Sequence, residues 1–191
     1  AVKADVDRVV AHVLDRHGAI DILVNCAGVV RRKPALETTE DDWDFITGVN
    51  VKGVFFACQA IAPRMRQAGR GRIVNITSIA AELALKNRAA YCASKAAVAQ
   101  LTRCLALEWG PDGITVNAVG PGITETPMTR GFLDADPGRR PTMIGKMPIR
   151  RLAVPDDMVG AVLFLASDLA AYVTGQTVYV AGGWGVGDYD W

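Results

Sequence analysis

Residues 72–119 decide the fold, and they read RIVNITSIAAELALKNRAAYCASKAAVAQLTRCLALEWGPDGITVNAV. The short β-branched run at 72–76 predicts a strand buried in a sheet. A long helix is expected over 89–109, because Gly110 and the proline after it cannot continue a helix. A second strand is predicted at 115–119. Strand, helix and strand in this order predict two parallel strands joined by a crossover helix.

The same alternation extends along the chain in both directions. The further elements expected, in chain order, are a helix that ends near Gly18, a strand at 20–27 (IDILVNCA) buried on both faces, a helix begun by a capping box of Thr39 and Asp42, a helix at 50–67, a helix at 155–165 and a strand at 177–180. This pattern predicts an α/β protein with a parallel sheet, whose ligands bind at the carboxyl ends of the strands.

The chain length predicts a single domain over 1–191, because a typical domain has about 150 residues. Residues 121–154 interrupt the alternation, since they carry five prolines and no clean hydrophobic period. We interpret 121–154 as a mobile substrate lid.

Composition excludes several classes of protein. The chain has 21 Lys and Arg against 20 Asp and Glu, so its net charge of +1 gives no basis for binding nucleic acid. Half of the residues are hydrophobic, but no apolar run approaches the 18 or so residues of a membrane span. The opening residues lack the pattern of a secretory signal. We therefore expect a cytoplasmic protein that binds neither membrane nor nucleic acid.

Cysteine and histidine positions give no sign of disulfides or metal. The four cysteines are far apart, with no C-x-x-C pair, and are expected to be reduced interior residues: Cys26, Cys58, Cys92 and Cys104. His12 and His17 are five residues apart and do not share a helical face as an i, i+4 metal pair does. No metal site is predicted.

Tyr91 and Lys95 are the central clue to chemistry. Four residues apart on a predicted helix, they project from one face toward one pocket. A nearby cation favours the phenolate and so lowers the pKa of a tyrosine from its usual value of about 10. Such a tyrosine can exchange a proton near neutral pH. The pair alone is weak evidence for catalysis, because a Tyr and a Lys at this spacing are common on solvated helices.

The residues around this pair make the signal specific. Ser78 lies thirteen residues before Tyr91, directly after strand 72–76, where its hydroxyl stands at the carboxyl end of the strand. The motifs in chain order are Asn25-Cys26-Ala27-Gly28, Asn50, Ser78, YCASK at 91–95 and NAVGPG at 117–122. With these motifs the whole chain resembles the short-chain dehydrogenase/reductase family. The resemblance implies a doubly wound, three-layer, Rossmann-like sheet and interconversion of an alcohol and a carbonyl by hydride transfer.

The resemblance implies a role for each residue of the catalytic set. Tyr91 is the acid/base at the reacting oxygen, and Ser78 holds that oxygen by a hydrogen bond. Lys95 lowers the pKa of Tyr91 and binds the ribose of the nicotinamide nucleotide. Asn50 holds a water in a proton relay to Lys95. The hydride itself belongs to a cofactor, NAD or NADP, because no side chain supplies one.

The resemblance also implies binding partners. Contacts to the cofactor are assigned to Asn25, Ala27, Gly28, Tyr91, Lys95, Pro121, Gly122, Ile123 and Thr126. Family members are commonly tetramers, so a homo-oligomer, a tetramer or a dimer, is expected. The tail from Trp184 to Trp191 carries two tryptophans and a tyrosine, and we expect it to pack against another subunit.

Departures from the family pattern concern Cys26, in place of a second asparagine, Ala181, in place of an aspartate, and the phosphate-binding turn. No G-x-G in this chain has a glycine three positions further on. The resemblance therefore implies a chain without the amino-terminal nucleotide-binding strands. We expect the 191 residues alone to be inactive. The competing hypothesis is a non-catalytic fragment that serves only in assembly.

Arg31 and Arg32 are the candidates for substrate recognition. They follow the motif at 25–28, as in sugar-acid and polyol dehydrogenases of the family, and arginine can bind a carboxylate in bidentate fashion. A solvated basic loop explains them equally well. The alternative substrate class is a 3-oxoacyl group, for which an apolar lid is expected from Met128, Phe132, Leu133, Met143 and Met147.

Overall fold

The computed structural model describes residues 1–187, which form one parallel sheet between layers of helices. The strands lie side by side in chain order as β1 (Ile22–Asn25), β2 (Gly71–Ile76), β3 (Ile114–Pro121) and β4 (Thr177–Val180). The helices are α1 (Lys3–His17), α2 (Glu40–Thr47), α3 (Val54–Ala68), α4 (Ala89–Trp109), α5 (Pro127–Asp134), α6 (Arg139–Gly145) and α7 (Asp156–Ala166). The predicted α/β class is confirmed.

Two cores lie on opposite faces of the sheet, because successive side chains of a strand point to opposite sides. Ile73 of β2 packs with residues of α3 and α4, including Met65 and Leu105. Its neighbour Val74 packs with Leu165 of α7 on the other face. The molecule therefore has the three layers of a doubly wound, Rossmann-like fold, as the family resemblance implies.

Local signals placed most elements correctly. The helix predicted at 89–109 and the strand at 177–180 have those bounds in the structure. Gly18 ends α1 with a φ of 78°, and its amide donates to the Leu14 carbonyl. The capping box of Thr39 and Asp42 starts α2 with both of its hydrogen bonds.

The prediction that the first strand is buried on both faces was wrong. β1 pairs only with β2 within the described sheet, and it is four residues long. Ile22 and Val24 are 48% and 40% exposed. Both positions are apolar, and sequence alone does not distinguish a central strand from an edge strand of that composition.

The two helices predicted after Thr39 and at 50–67 are present, but a π-helical turn that the sequence did not indicate joins them into one stretch. Glu40–Ala68 runs through α2, a π-helical turn at Gly48–Gly53 and α3, with a mean hydropathy of 1.4 in its most apolar window. By length and composition alone it could cross a membrane, but the core helix of a soluble protein meets the same criteria. Here Val54, Cys58 and other residues of its apolar face pack in the core, so the evidence for a membrane span is weak.

Residues 121–154 contain regular structure that the sequence analysis did not expect. α5 and α6 lie in this segment, and a third core forms between them around Leu133, Met147 and Leu152. A bridge between Thr124 and Ala153 ties the two ends of the segment together. The helices were missed because seven or eight residues show too little of a hydrophobic period. That the segment moves as a lid stays a prediction.

Candidate active site

The predicted catalytic side chains lie where β2 and β3 end and α4 begins. Ser78 follows β2, Gly122 follows β3, and Tyr91 lies in the first turn of α4. Two cavities meet at this edge of the sheet. Five residues line both of them: Ser78, Tyr91, Gly122, Met128 and Thr129. Tyr91 and Ser78 are therefore accessible from two sides.

The two cavities differ in chemistry. The larger, here the apolar cavity, has a volume of about 520 Å³, and hydrophobic residues such as Val24, Ile76 and Val162 form most of its wall. The smaller, here the basic cavity, has a volume of about 270 Å³. Its charged lining residues are Arg32, Lys86, Arg88 and Lys146, and no Asp or Glu is among its described lining residues. In a chain of net charge +1, this is a local excess of positive charge.

Tyr91 is largely buried, and burial raises the pKa of its phenol. A hydrogen bond with Ser78 and the charges of Arg32 and Arg88 act in the opposite direction. Lys95 Nζ lies 5.8 Å from the centroid of the Tyr91 ring, and its predicted lowering of the Tyr91 pKa stays a prediction. The phenol is protonated at neutral pH and can donate its proton.

Lys95 lies one turn further along α4 and is 5% exposed. Its Nζ donates a hydrogen bond of 2.9 Å to the carbonyl of Ile76, the last residue of β2. Burial lowers the pKa of Lys95 to about 8, and the nearby Cys26 thiol partly offsets this. Lys95 therefore places an ammonium group with a readily lost proton beside the apolar cavity.

Asn50 lies in the π-helical turn at Gly48–Gly53 and is fully buried. Its Oδ1 accepts from the Val29 amide at 2.8 Å, and its Nδ2 donates to the Val29 carbonyl and to Ser94 Oγ, both at 3.0 Å. The side chain thus fixes the loop after β1 to α4. π-Helical turns are frequent at functional sites. The water relay from Asn50 to Lys95 stays a prediction.

Asn25 lies at the end of β1, and its Nδ2 donates to Asn75 Oδ1 at 2.8 Å. Asn75 Nδ2 in turn donates to Thr102 Oγ1 at 3.0 Å, which connects β1, β2 and α4. The sequence analysis did not identify this buried chain of side chains, although the asparagine in RIVNI was its signal. Asn25 and Ala27 line neither cavity, so Asn25 supports the edge of the sheet.

The other residues predicted to bind the cofactor lie at the cavities. Ile123 lines the basic cavity. Six line the apolar cavity: Gly28, Tyr91, Lys95, Pro121, Gly122 and Thr126. Thr126 also starts α5 through a capping box with Thr129.

Two glycines keep backbone close to other groups at this edge. A Cβ on Gly28 would lie 3.4 Å from Lys95 Nζ and 3.5 Å from Asn50 Oδ1. A Cβ on Gly122 would lie 2.8 Å from the Ala181 Cα, closer than a side chain tolerates. The volume of the apolar cavity lies within the roughly 300–1,000 Å³ range of small-molecule sites. The cavity is therefore large enough for the nicotinamide ring and ribose of the expected cofactor beside Tyr91 and Lys95.

The two candidate substrate residues have different surroundings. Arg31 lies 4.3 Å from the Phe45 ring centroid and pairs with Asp41 and Asp42, each at 2.7 Å. These contacts hold it on α2, and it lines neither cavity. Arg32 lines the basic cavity.

Three cationic residues of the basic cavity, Lys86, Arg88 and Lys146, were not identified from the sequence. Phe132 and Trp184 also line it, although Phe132 was expected in an apolar lid and Trp184 in a subunit contact. Trp184 packs on the core of 121–154 within its own chain, and its contact with another subunit stays a prediction. Of the rest of that tail, 185–187 are exposed and 188–191 lie outside the described residues.

Cysteine placement corrects one prediction. All four cysteines are free, and Cys58 is buried, but Cys26 and Cys104 are exposed and Cys92 is half-buried. Their expected interior position was therefore wrong for Cys26 and Cys104. His12 and His17 are exposed on α1. Within residues 1–187, no group of three or more His, Cys, Asp or Glu side chains is arranged to hold a metal ion.

Comparison with known proteins yields relatives over nearly the whole chain. A family model described as Enoyl-(Acyl carrier protein) reductase matches residues 1–185. The D-threitol dehydrogenase of Mycolicibacterium smegmatis is 42% identical over 185 residues, which is 96% of this chain and 68% of that protein. The 2-dehydro-3-deoxy-D-gluconate 5-dehydrogenase of Escherichia coli K12 is 41% identical over 184 residues, 96% of this chain and 71% of that protein.

Solved structures agree with these relatives. A gluconate 5-dehydrogenase of Burkholderia cenocepacia in complex with NADP and tartrate superposes with a TM-score of 0.95 at 38% identity, over 98% of this chain and 73% of that one. A further sequence relative, the 3-oxoacyl-(acyl-carrier-protein) reductase of Thermotoga maritima, is 39% identical over 178 residues, 93% of this chain and 71% of that protein. Together with Ser78, Tyr91 and Lys95 at one sheet edge, these matches show that the chain belongs to this family of short-chain dehydrogenases/reductases and is an NAD(P)-dependent oxidoreductase.

Proposed function

We propose that this protein interconverts a hydroxyl and a carbonyl group on a small polyhydroxy acid, with NAD or NADP as the second substrate. One observation carries the proposal: the basic cavity and the apolar cavity meet at Tyr91. A proton-exchanging phenol between them lets a substrate on one side react with a cofactor on the other. Four cationic side chains and no carboxylate line the basic cavity among the described residues, which suits an anionic substrate.

The cofactor fits the apolar cavity, where Gly28, Tyr91, Lys95 and Gly122 would hold its nicotinamide and ribose. When bound, it supplies or accepts the hydride. The Lys95 ammonium has donors beyond the one used by Ile76, so it can bind a ribose hydroxyl. The small Gly28 leaves room for the ribose beside that ammonium.

The chain's own residues handle the proton at the reacting oxygen. Ser78 Oγ holds that oxygen by a hydrogen bond, and the Tyr91 hydroxyl donates its proton to it during carbonyl reduction. In alcohol oxidation the proton moves the other way, so Tyr91 must first be a phenolate. Because burial raises the pKa of Tyr91, the protonated form suited to reduction dominates at neutral pH.

Arg32 is the residue we assign to the acid group of the substrate. It lines the basic cavity, and its guanidinium contacts only the Met128 carbonyl, at 3.4 Å, among the hydrogen-bond acceptors of the described chain. Arg31 is already paired with two aspartates, so the choice between the two arginines falls on Arg32.

A 3-oxoacyl substrate is the second candidate. Met128, Phe132 and Met143 line the basic cavity and give it an apolar wall. Leu133 and Met147, also expected in an apolar lid, are instead buried in the core of 121–154. This leaves less apolar surface for an acyl chain than the sequence suggested.

A substrate panel with both nucleotides tests these proposals. We expect a polyhydroxy acid such as D-gluconate to give the highest kcat/KM, above the neutral D-sorbitol and above a 3-oxoacyl thioester. Turnover of the thioester alone would establish the second candidate. Turnover of none, by a protein that remains folded and binds nucleotide, would refute the proposal.

Assembly and location are also proposals. We infer a homo-oligomer, a tetramer or a dimer, since apolar residues such as Leu107 and Tyr172 are 82% and 104% exposed. We infer a cytoplasmic location, because four free thiols suit a reducing compartment. Light scattering tests the first inference, and localisation of a tagged protein by fluorescence tests the second.

A further inference from the structure

Three arginines surround one aromatic ring at the wall of the basic cavity. The guanidinium carbons of Arg139, Arg88 and Arg32 lie 4.6, 4.7 and 5.1 Å from the centroid of the Phe132 ring. Each contact is within the range of cation–π attraction. Burial lowers the pKa of Arg88, and repulsion from the charges of Arg32 and Arg139 lowers it further.

Arg32 and Arg88 have no carboxylate to balance this charge. Within residues 1–187 neither of them forms an ion pair, whereas Arg31 and Arg151 are paired with aspartates. Arg139 is better satisfied, since it donates to the Phe132 carbonyl at 2.8 Å and lies 3.9 Å from Asp136. Arg88 is half-buried and Arg32 is more exposed, and a partly buried guanidinium without an anion is costly unless a ligand supplies one.

The local backbone fixes the two free arginines beside each other. The Lys33 amide donates to the Asn87 carbonyl at 3.0 Å, and this bond ties the residue after Arg32 to the residue before Arg88. Asn87 has a φ of 61°, a left-handed conformation that asparagine tolerates better than most residues. Strained backbone of this kind concentrates at functional sites. Arg88 then directly precedes α4, three residues before Tyr91.

We propose that Arg88 is a second anion-binding residue, which together with Arg32 clamps the acid group of the substrate while Phe132 positions both guanidiniums. The proposal rests on the proposed function, because the clamp places an acid beside Tyr91. Two guanidiniums offer a carboxylate the parallel N–H donors that it binds best. The clamp joins three segments, since Arg32 follows β1, Arg88 precedes α4 and Phe132 lies on α5.

The test compares two probes that differ only in the acid group. D-Gluconate and D-sorbitol share a six-carbon polyol chain, and gluconate carries a carboxylate in place of a terminal alcohol. We expect Arg88→Gln to reduce the gluconate-to-sorbitol ratio of kcat/KM at least about tenfold, as for a lost charged hydrogen bond. Arg88→Lys keeps the positive charge but loses the two parallel N–H donors of the guanidinium, so it should give an intermediate ratio of kcat/KM. Calorimetric titration should show weaker gluconate binding in the same order.

The control is Arg130→Gln, which removes an exposed guanidinium of α5 that lines neither cavity. It should leave the ratio unchanged. Phe132→Leu should lower the ratio as Arg88→Gln does, because both guanidiniums lose their support. Melting temperature and nucleotide affinity show that each variant is folded.

The outcomes separate the clamp from the proposed function. An active Arg88→Gln variant with the parent ratio and the parent gluconate affinity would overturn the clamp and leave the oxidoreductase assignment intact. A parent ratio in Phe132→Leu alone would overturn the positioning role. A folded parent protein that binds nucleotide and turns over neither probe would instead overturn the proposed function.

Discussion

Tyr91 lies between two opposing electrostatic effects. Burial raises the pKa of its phenol, while Ser78, Arg32 and Arg88 lower it. The charges of both arginines favour the phenolate that alcohol oxidation needs. Because both arginines line the basic cavity, the wall of that cavity affects the pKa of Tyr91.

Replacement of Tyr91 by phenylalanine tests the acid/base role. Tyr91→Phe keeps the buried ring and removes only the hydroxyl, so we expect kcat to fall by roughly a hundredfold or more with nucleotide affinity nearly unchanged. The matched control is Tyr172→Phe, which removes the hydroxyl of a fully exposed tyrosine. Steady-state kinetics and a fluorescence titration of nucleotide measure both effects. A kcat within a few-fold of the parent value would exclude Tyr91 as the acid/base.

The buried, charged Lys95 lowers the free energy of unfolding of the protein at neutral pH. Its pKa is about 8 in the folded protein, against an ordinary value near 10.5, so the charged form is disfavoured by folding. Lys95→Met should raise the free energy of unfolding by about 1–3 kcal/mol at pH 7, while turnover and nucleotide affinity are lost.

The pH dependence of that difference provides the check. Between pH 8 and about 10.5 the unfolded state holds the Lys95 proton more firmly than the folded state, so the stability of the parent protein rises with pH. Denaturation by urea at pH 7 and pH 10 should show the gap between Lys95→Met and the parent closing at the higher pH. A gap independent of pH would contradict the assigned pKa.

Residues read from local spacing were predictable, and residues brought together by the fold were not. Ser78, Tyr91 and Lys95 are linked by a strand end and one helix turn, which the sequence displays directly. Arg88 and Phe132 are 44 residues apart in sequence, and only the packing of α5 against the start of α4 unites them. Arg31 was predicted from local sequence to recognise the substrate, but in the fold it forms ion pairs with Asp41 and Asp42.

At the scale of the element, predictability followed length and position. α4 has 21 residues, so its pattern and its glycine stop give clear bounds. α5 and α6, of eight and seven residues, show too little of a period. β1 has the composition of a central strand but lies at an edge of the described sheet, because it pairs with β2 on one side only. Composition does not show which strands pair.

At the end of β3 an added side chain should disturb the sheet. A Cβ at Gly122 would lie 2.8 Å from the Ala181 Cα, so Gly122→Ala must shift backbone between β3 and the residue after β4. We expect a loss of about 1–3 kcal/mol in the free energy of unfolding. Turnover should also fall, because Gly122 lines both cavities.

The matched control is Gly160→Ala inside α7, where an added Cβ has nothing within 4 Å. There the substitution should stabilise by about 0.5–1 kcal/mol, since alanine favours the helix. Urea denaturation of both variants should show that the free energy of unfolding falls for Gly122→Ala and rises for Gly160→Ala. Equal effects at the two glycines would show that crowding at Gly122 is relieved without cost.

At the scale of the whole molecule, one sheet edge carries both cavities. The apolar cavity and the basic cavity open at the carboxyl ends of the same strands, as expected of a doubly wound sheet. The residues of both sites therefore depend on one strand order. The parallel α/β class of the sheet was predictable from the alternation of elements, whereas the cavity walls depend on the 121–154 segment.

Assembly is the remaining property of the whole molecule, and α4 provides its test. One face of α4 packs on the sheet through buried residues such as Val98, yet its opposite face exposes an apolar strip of Ala97, Cys104 and Leu107 beside the polar Gln100, Arg103 and Glu108. A helix that is apolar on both sides is usually covered on both. We therefore expect Ala97→Glu to lower the mass measured by light scattering, because a buried carboxylate in an interface has no partner. Ala11→Glu, the same change on exposed α1, should leave the mass unchanged. If the parent protein is a monomer, or if Ala97→Glu keeps the parent mass, the outer face of α4 is not the subunit interface.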